Sequence, residues 1–503
     1  METLIERYKD KISGVLTCAD RIVITGTLPV LSNPKSMTGY MFAHNIRIFD
    51  YAIFAEPFRN QIRENAEKIA KANNLEVEFL RKSTIRKETI ISKILEKRGL
   101  KPGLVHILSV MESCPTYEPW HNKQTGKTYL NGSQSKCLTY YFYFIDELLG
   151  LCYVRVPTWL PFRLQIYFNG HNWLASKLKE AGIIFKMIDN AFIEIQDWDK
   201  ANEIVKSFKV EELHQRLDFF AYTYCPVYKQ FDQRYHWSVM QCEYSTDIVF
   251  KEQKDLQAIY SKLIQTAIHT VKPEHIVSFL GKKLSPLYLG EVGNQYHVRI
   301  EGTCIKHVMD KNSIKMYDKF GQILRIETTS NDISFFKHYR EVIHRDGTQT
   351  EKIAAMKKNI YSLTALLPLM QAANRRYLEF ISAIEDDKVG KEKLEKITQK
   401  ASADNRNYRG FNFFDKHDEA ILQVIARGEF NISGFRAKHL KKFTDKSSSQ
   451  ISRILKRLHV HGLIKKVRNT YKYYLTELGK ETILIGEKII NLVLIPQLNH
   501  CRI

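Results

Sequence analysis

The chain has 503 residues, 44% of them hydrophobic and 12% aromatic, which excludes a disordered or low-complexity polymer and is enough for several packed domains. Its formal net charge of +21 points to polyanionic partners. No run of about 18 or more apolar residues occurs and the opening METLIERYKDKISG lacks a signal-peptide core, so no membrane partner is expected and a cytoplasmic location is.

Residues 1–208 read as an α/β N-terminal domain. Residues 21–25 (RIVIT) make a short apolar strand. Residues 57–72 make an amphipathic helix with Phe58, Ile62, Ala66 and Ile69 inward. A basic helix at 85–97 and a buried strand at 104–110 follow. Residues 112–136 carry Pro115, Pro119, Gly126 and Gly132 and are expected to be a long surface loop. Residues 139–145 and 151–156 pair as a hairpin. In 155–173, arginines, aromatics and amides alternate with apolar residues. Arg155, Arg163 and Tyr167 are therefore candidate nucleic-acid contacts, because aromatics stack on bases and guanidinium groups meet phosphates. Half-buried sheet residues would give the same pattern. The eight cysteines form no C-x-x-C pair, so reduced buried thiols are expected rather than a metal set at Cys114, His121 and Cys137.

Residues 209–350 read as a helical segment, 209–285, followed by a β-meander, together a candidate catalytic or nucleic-acid-binding domain. Gln241, Glu243 and Asp247 add polar groups after Tyr235-His236-Trp237, with no spacing that ties them into a site. In the meander, residues 313–318 and 323–328 alternate cleanly and are joined by the turn at 319–321. One face of this antiparallel pair collects Lys315, Tyr317, Arg325 and Glu327, within reach of Glu301. A tyrosine beside carboxylates and cations has the parts for phosphoryl transfer to a protein hydroxyl. Tyr317, Lys315 and Arg325 are the catalytic candidates. Glu301, Asp318 and Glu327 are the candidate ligands for Mg2+ or Mn2+. A salt-bridged sheet surface would use the same residue types.

The string GTCIKH…NSIKMYDKFGQILRIE resembles the G-x-R-x-S…R-x-Y-D-K…R-x-E block of plasmid rolling-circle replication initiators of the Rep_trans type. The matching positions are Gly302, Ser313, Lys315, Tyr317, Asp318, Lys319, Arg325 and Glu327, with Lys315 where that family usually has Arg. The resemblance implies metal-dependent, tyrosine-mediated nicking or strand transfer. It leaves Tyr317, Tyr339 and Tyr361 open as nucleophile.

Residues 331–345 read as a basic loop, 351–385 as a helical segment, and the charged stretch 386–410 as a linker. In 411–490, three helical patterns precede a basic hairpin at 463–467 and 471–475. The third helix, opened by Ser447, has Ile451, Ile454, Leu455 and Leu458 on one face, and Ser448, Gln450, Arg453, Lys456 and Arg457 on the other. Between 436 and 474 twelve Lys/Arg face one acid, Asp445. The string SSSQISRILKRLHVHGLIKKVRNTYKYYLTELG resembles the winged helix-turn-helix domain of MarR-like regulators. Ser448, Gln450, Arg453, Lys456, Arg457, Lys465, Lys466, Arg468 and Lys472 are its candidate DNA contacts.

The expected class is α+β multidomain: a mixed α/β body, a central β-meander with helices, and a C-terminal winged helix-turn-helix. The expected function is a nucleic-acid-binding protein of a mobile or replicative element, with winged-helix binding of duplex DNA and metal-dependent tyrosine nicking or strand transfer as the candidate chemistry. Single-stranded DNA, structured RNA and a homodimer stay open. A MarR-like regulator with a large sensing domain, and the protein part of an RNA–protein complex that binds DNA, are the alternatives.

Overall fold

The computed structural model describes residues 3–81, 85–283, 288, 290–299, 302–385, 388–427, 430, 434–468, 470–495 and 498. They form two compact units, Met1–Glu385 and Asp386–Ile503.

The first unit is built on one mixed sheet. Its strands are β1 (Ile12–Thr27), β2 (Val77–Phe79), β3 (Gly103–Asn122), β4 (Lys127–Asp146), β5 (Gly150–Pro157) and β6 (Leu164–Asn169). A separate hairpin, β7 (Phe185–Ile188) and β8 (Ala191–Ile195), follows. The sheet resumes with β9 (His236–Phe250), β10 (Val292–Arg299), β11 (Gly302–Met309), β12 (Asn312–Lys319) and β13 (Ile323–Ser330). The eleven strands run in the order β10-β11-β12-β13-β9-β1-β6-β5-β4-β3-β2, antiparallel except β2 against β3. The helices are α1 (Leu4–Arg7), α2 (Pro34–Ala43), α3 (Tyr51–Ala72), α4 (Lys87–Arg98), α5 (Gly170–Glu180), α6 (Trp198–Lys206), α7 (Val210–Tyr224), α8 (Gln253–Thr270), α9 (Pro273–Phe279) and α10 (Leu363–Glu385).

Period-two alternation decides which helix covers which face. Phe142, Val154 and Ile166 bury against Phe58 and Ile62 of α3 and Phe220 of α7. Further along, Ile248, Ile314 and Ile326 bury against Leu263 of α8 and Tyr377 of α10. The intervening positions Leu108, Tyr141 and Tyr153 meet Ile91 of α4 on the opposite face. Among the described residues no helix is long and apolar enough to cross a membrane.

Several expectations change. The sheet draws strands from both 1–208 and 209–350, so no boundary falls at 208. Within the supposedly helical 209–285 lies β9, whose alternation is masked because most of its length is buried between β1 and β13. Residues 112–136 are the outer parts of β3 and β4, not a loop. Beyond Ser109, β3 has no second strand partner among the described residues, so Pro115 and Pro119 cost it no ladder bond there. The expected loop 331–345 contains β14 (Lys337–Ile343), paired with β15 (Gln349–Ala355).

The second unit contains α11 (Lys388–Thr398), β16 (Ala401–Ala403) with β17 (Arg406–Tyr408), α12 (Lys416–Ile425), α13 (Ala437–Lys441), α14 (Ser448–Val460), β18 (Ile464–Lys466) with β19 (Tyr473–Leu475), and α15 (Glu477–Lys488). The stretch read as a linker is thus largely a helix and a hairpin. Its charge hides one anchor: Ile397 is 2% exposed and packs with Phe411, Ile421 and Leu458. His461 fixes the segment from the other side, with Nδ1 facing Lys396 O and Nε2 facing Arg409 O.

Candidate functional site

The turn at 319–321 needs left-handed backbone at Phe320 (φ 59°) and Gly321 (φ 71°), and it sets the β12–β13 register. Lys315 falls opposite Glu327 and Tyr317 opposite Arg325. The next strand places Asp247 opposite Arg325 and Glu243 opposite Thr329. An irregularity in the β1–β9 pairing between Ala19 and Ile22 contains Asp20.

Glu327 is the centre of one cluster. Lys315 Nζ donates to its Oε1 at 2.6 Å and the Tyr317 hydroxyl to its Oε2 at 2.7 Å, while Thr329 Oγ1 adds a 3.2 Å bond to Oε1. Lys315 Nζ also lies 3.8 Å from Glu243 Oε1. The Lys315 side chain keeps 22% exposure and Glu243 13%, against 3% for Glu327, so the cluster opens to solvent at the lysine. Asp20, Glu243 and Glu327 each offer a carboxylate oxygen, and these atoms lie within 4.8 Å of one another.

Arg325 is the centre of a second, buried network. Its Nε and Nη2 donate to the two carboxylate oxygens of Asp247, each at 2.6 Å, and Nη1 to Asp20 Oδ2 at 3.2 Å. Nη2 also donates to the carbonyl of Asn190 at 2.9 Å. His171, at the start of α5, places Nδ1 3.2 Å from Asp20 Oδ1 and Nε2 3.6 Å from Asp247 Oδ2. Asn169 and Asn190 donate to Asp20 at 2.6 and 2.7 Å.

These neighbours set the charges. Burial would raise the Asp20 carboxyl, but His171 and Arg325 outweigh it and hold Asp20 well below the usual carboxylate range. Burial likewise raises Asp247 and is outweighed by Arg325 and His171, leaving its pKa lowered. Burial would depress His171; the two aspartates overcome it and raise its pKa. Glu243 has no such rescue. Burial, then the charge of Glu327, push it up to about 7 despite Lys315. Burial and Glu327 hold the Tyr317 phenol well above its ordinary value.

Two sequence expectations need correction here. Arg325 is fully buried with its guanidinium bonded on every side, so it neutralises Asp20 and Asp247 and cannot meet a substrate phosphate. Asp318 pairs with Leu324, one residue out of phase with Tyr317 and Glu327, so it lies away from the carboxylate cluster. Glu301 lies outside the described residues. Of the other tyrosines, Tyr361 bonds His214 at 2.8 Å and Tyr339 is 64% exposed on β14. The carboxylates not read as ligands, Asp20 and Glu243, come from strands distant in sequence. The alternation 241, 243, 245, 247 was the available sign that Glu243 and Asp247 share a strand face.

Arg155 is held by Glu112 and Tyr141 through its Nε, at 3.0 and 3.2 Å, and its Nη2 reaches Cys114 Sγ at 3.3 Å. Tyr167 is half-buried, stacked on Tyr153 at 5.2 Å with Arg21 over its ring. Both are packed sheet residues. Arg163 instead lines a surface cavity beside Tyr117. His121 bonds Thr128 at an exposed hairpin tip, while Cys114 and Cys137 are buried.

In the second unit, Ser447 caps α14 by bonding the Gln450 amide, and the Gln450 side chain bonds back to the Ser447 amide at 2.8 Å. Ser448, Gln450, Arg453, Lys456, Lys465, Lys466 and Arg468 are exposed and Lys472 is half-buried. Lys456 pairs with Asp404 at 2.7 Å. Arg457 does not share that surface. It grips both oxygens of Asp418 at 2.7 and 2.8 Å, donates to the carbonyls of Arg409 and Gly410, and lies 3.8 Å over Phe411. Position 457 is next to Leu458 on the helix and turns toward the core.

No family model matches this chain, and no curated protein matches it. Among solved structures it is similar to the rolling circle replication initiator protein from Geobacillus stearothermophilus, at 9% sequence identity and a TM-score of 0.19, covering 63% of this chain and 74% of that one. A likeness of that size fixes neither fold nor function.

Proposed function

We propose that this chain binds DNA and cleaves or transfers one strand with the help of a divalent cation, using Tyr317 as nucleophile. The observation that carries the reading is the Tyr317 hydroxyl donating to Glu327 Oε2 at 2.7 Å beside the Asp20–Glu243–Glu327 carboxylates. An all-oxygen, carboxylate donor set fits Mg2+ or Mn2+. Burial first, and then the charge of Glu327, raises the Glu243 pKa despite Lys315, so a cation at this cluster would meet a second carboxylate charge beside Glu327. When bound, such a cation would polarise a phosphodiester oxygen. Glu327 takes the phenol proton as Tyr317 Oη bonds to phosphorus, and the leaving sugar oxygen acquires a proton from solvent. Lys315, the accessible cation of the cluster, neutralises charge on the transferred phosphate.

The C-terminal unit supports a duplex-binding role. We read residues 411–490 as a winged helix-turn-helix, with α14 as recognition helix and β18–β19 as wing. Arg453, Lys456, Lys465, Lys466 and Arg468 contribute exposed cations. A duplex-binding regulator without chemistry is the second reading, favoured by how enclosed the Tyr317 phenol is. The separating experiment incubates full-length protein with supercoiled plasmid and Mn2+. The first reading expects a covalent protein–DNA adduct and relaxed circles, absent with Tyr317→Phe. Cleavage that survives in Tyr317→Phe would falsify the nucleophile; no cleavage with any DNA tested favours the regulator.

A further inference from the structure

A basic groove lies away from Tyr317. Helix α3 buries Phe58, Ile62 and Ala66 in the core. Its flanking positions Ala52, Arg59 and Arg63 recur at helical spacing and face outward along one wall of a cavity of about 710 Å3. The opposite wall is the outer part of β3 and β4, including Tyr117 and Lys136, and the corner after β5 supplies Thr158 and Trp159. An adjoining cavity of about 420 Å3 shares Thr116, Tyr117 and Ser133 with it and adds Arg163.

Three features set this groove apart from an ordinary surface crevice. Its linings contain four cations, Arg59, Arg63, Lys136 and Arg163, against one acid, Glu118. The Nε groups of Arg59 and Arg163 are buried yet have no hydrogen-bond acceptor among the described residues. Buried donors ordinarily find partners, so both guanidinium groups keep hydrogen-bonding capacity that the described residues leave unused. The third feature is aromatic: Trp159 is half-buried, with Tyr51 edge-on at 6.3 Å and the Arg59 guanidinium over its ring at 5.8 Å. One Arg59 Nη is engaged by Glu56, and its other nitrogens make no hydrogen bond to that carboxylate.

We infer that this groove binds single-stranded nucleic acid, with Trp159 stacking on an unpaired base and Arg59, Arg63, Lys136 and Arg163 meeting the phosphates. Aromatic faces and arginine forks interleaved along a basic groove recognise a single strand, whose bases are free to stack. A duplex hides those faces inside its own stack and would offer the groove only its backbone. The Ser and Thr hydroxyls along the same walls suit phosphate and sugar oxygens. The inference rests on the nucleic-acid reading of this chain but not on Tyr317. It gives a strand-cutting protein a place to hold the strand it has separated.

The test is fluorescence anisotropy of full-length protein with labelled dT12, U12 and a duplex of equal length, across a salt series. Both single strands should bind, the comparison of dT12 with U12 identifying the sugar. Single-strand affinity should fall with salt at a log–log slope of about −0.7 per phosphate neutralised. Lys136→Glu, an exposed change, and Arg63→Glu should each weaken single-strand binding tenfold or more while duplex binding stays within twofold. Base stacking should quench tryptophan fluorescence, and Trp159→Phe should remove most of that quench. If Lys136→Glu and Trp159→Phe both bind dT12 and U12 as wild type does, the inference is overturned. Tyr317→Phe should bind single strands normally, so failure of the nicking reading would leave this groove standing, and failure here would leave nicking standing.

Discussion

Tyr317 and Glu327 lie diagonally across β12 and β13, and the phenol donates to Glu327 Oε2 at 2.7 Å while Lys315 holds Oε1 at 2.6 Å. The carboxylate therefore gives one oxygen to the phenol and one to the ammonium group. Tyr317→Phe removes the charge-assisted hydrogen bond to Glu327 and should cost about 1–3 kcal/mol of stability. Loss of DNA cleavage with a melting temperature only a few degrees lower is the expected result. A variant that unfolds at assay temperature would instead mark the phenol as structural.

Arg325 works in the opposite sense, as an internal counter-charge. Removing it leaves Asp20 and Asp247 buried with His171 alone, and breaking a buried pair of this kind costs about 3–5 kcal/mol. Arg325→Ala should lower the urea midpoint strongly. Arg325→Lys should recover little of it, because an ammonium cannot span both oxygens of Asp247 while reaching Asp20. A lysine variant of wild-type stability would show that charge alone, not the fork, is what the site requires.

The pH dependence follows from Glu243. Its folded-state pKa, about 7, lies above the ordinary carboxylate value. Between those values the folded chain holds a proton that the unfolded chain has released. The stability from that proton is complete below the unfolded pKa and is lost as pH rises through about 7. Glu243→Gln should therefore gain stability over wild type on going from pH 5 to pH 8, on the order of 2 kcal/mol. At pH 8, Mn2+ should raise the melting temperature of wild type and not of Glu243→Gln, and EDTA should reverse the rise. A difference between variant and wild type that is flat with pH would remove Glu243 from the proposed cation site.

The candidate site was legible in the sequence only where its residues were local. The β12–β13 pairing is written in alternation and in the Phe320-Gly321 turn, so Lys315, Tyr317, Arg325 and Glu327 could be placed on one face from sequence. What that face meets was not legible. Asp20 sits at an irregularity in a strand about three hundred residues away, and Glu243 and Asp247 sit on a central strand that reads as an aromatic-rich muddle. The same limit made Arg325 look like a catalytic cation: alternation gives its face but not the two aspartates that enclose it. In the second unit the basic pattern of α14 was plain, while the inward turn of Arg457 depends on Asp418, thirty-nine residues earlier.

Adjacent residues of α14 should consequently behave differently. Lys456 is exposed, and Arg457 is clamped to Asp418. Arg453→Ala and Lys456→Ala should each weaken duplex DNA binding, with the salt slope reduced by about 1 for each phosphate left without its cation and no change in melting temperature. Arg457→Ala should destabilise the C-terminal unit by about 3 kcal/mol, since the buried Asp418 is left with the largely exposed Arg409, 3.5 Å away, in place of its two-pronged partner. The Asp418 carboxyl itself is pushed up by burial but held below its usual range overall by the Arg457 bonds. Stability from the pair is therefore present above the ordinary carboxylate pKa and lost as pH falls through the lowered one, so wild type should approach Arg457→Ala only in strong acid. Circular dichroism melts at pH 7 and pH 3 would show this. If Arg457→Ala melts like wild type at pH 7 yet loses DNA affinity, the side chain belongs to the DNA surface after all.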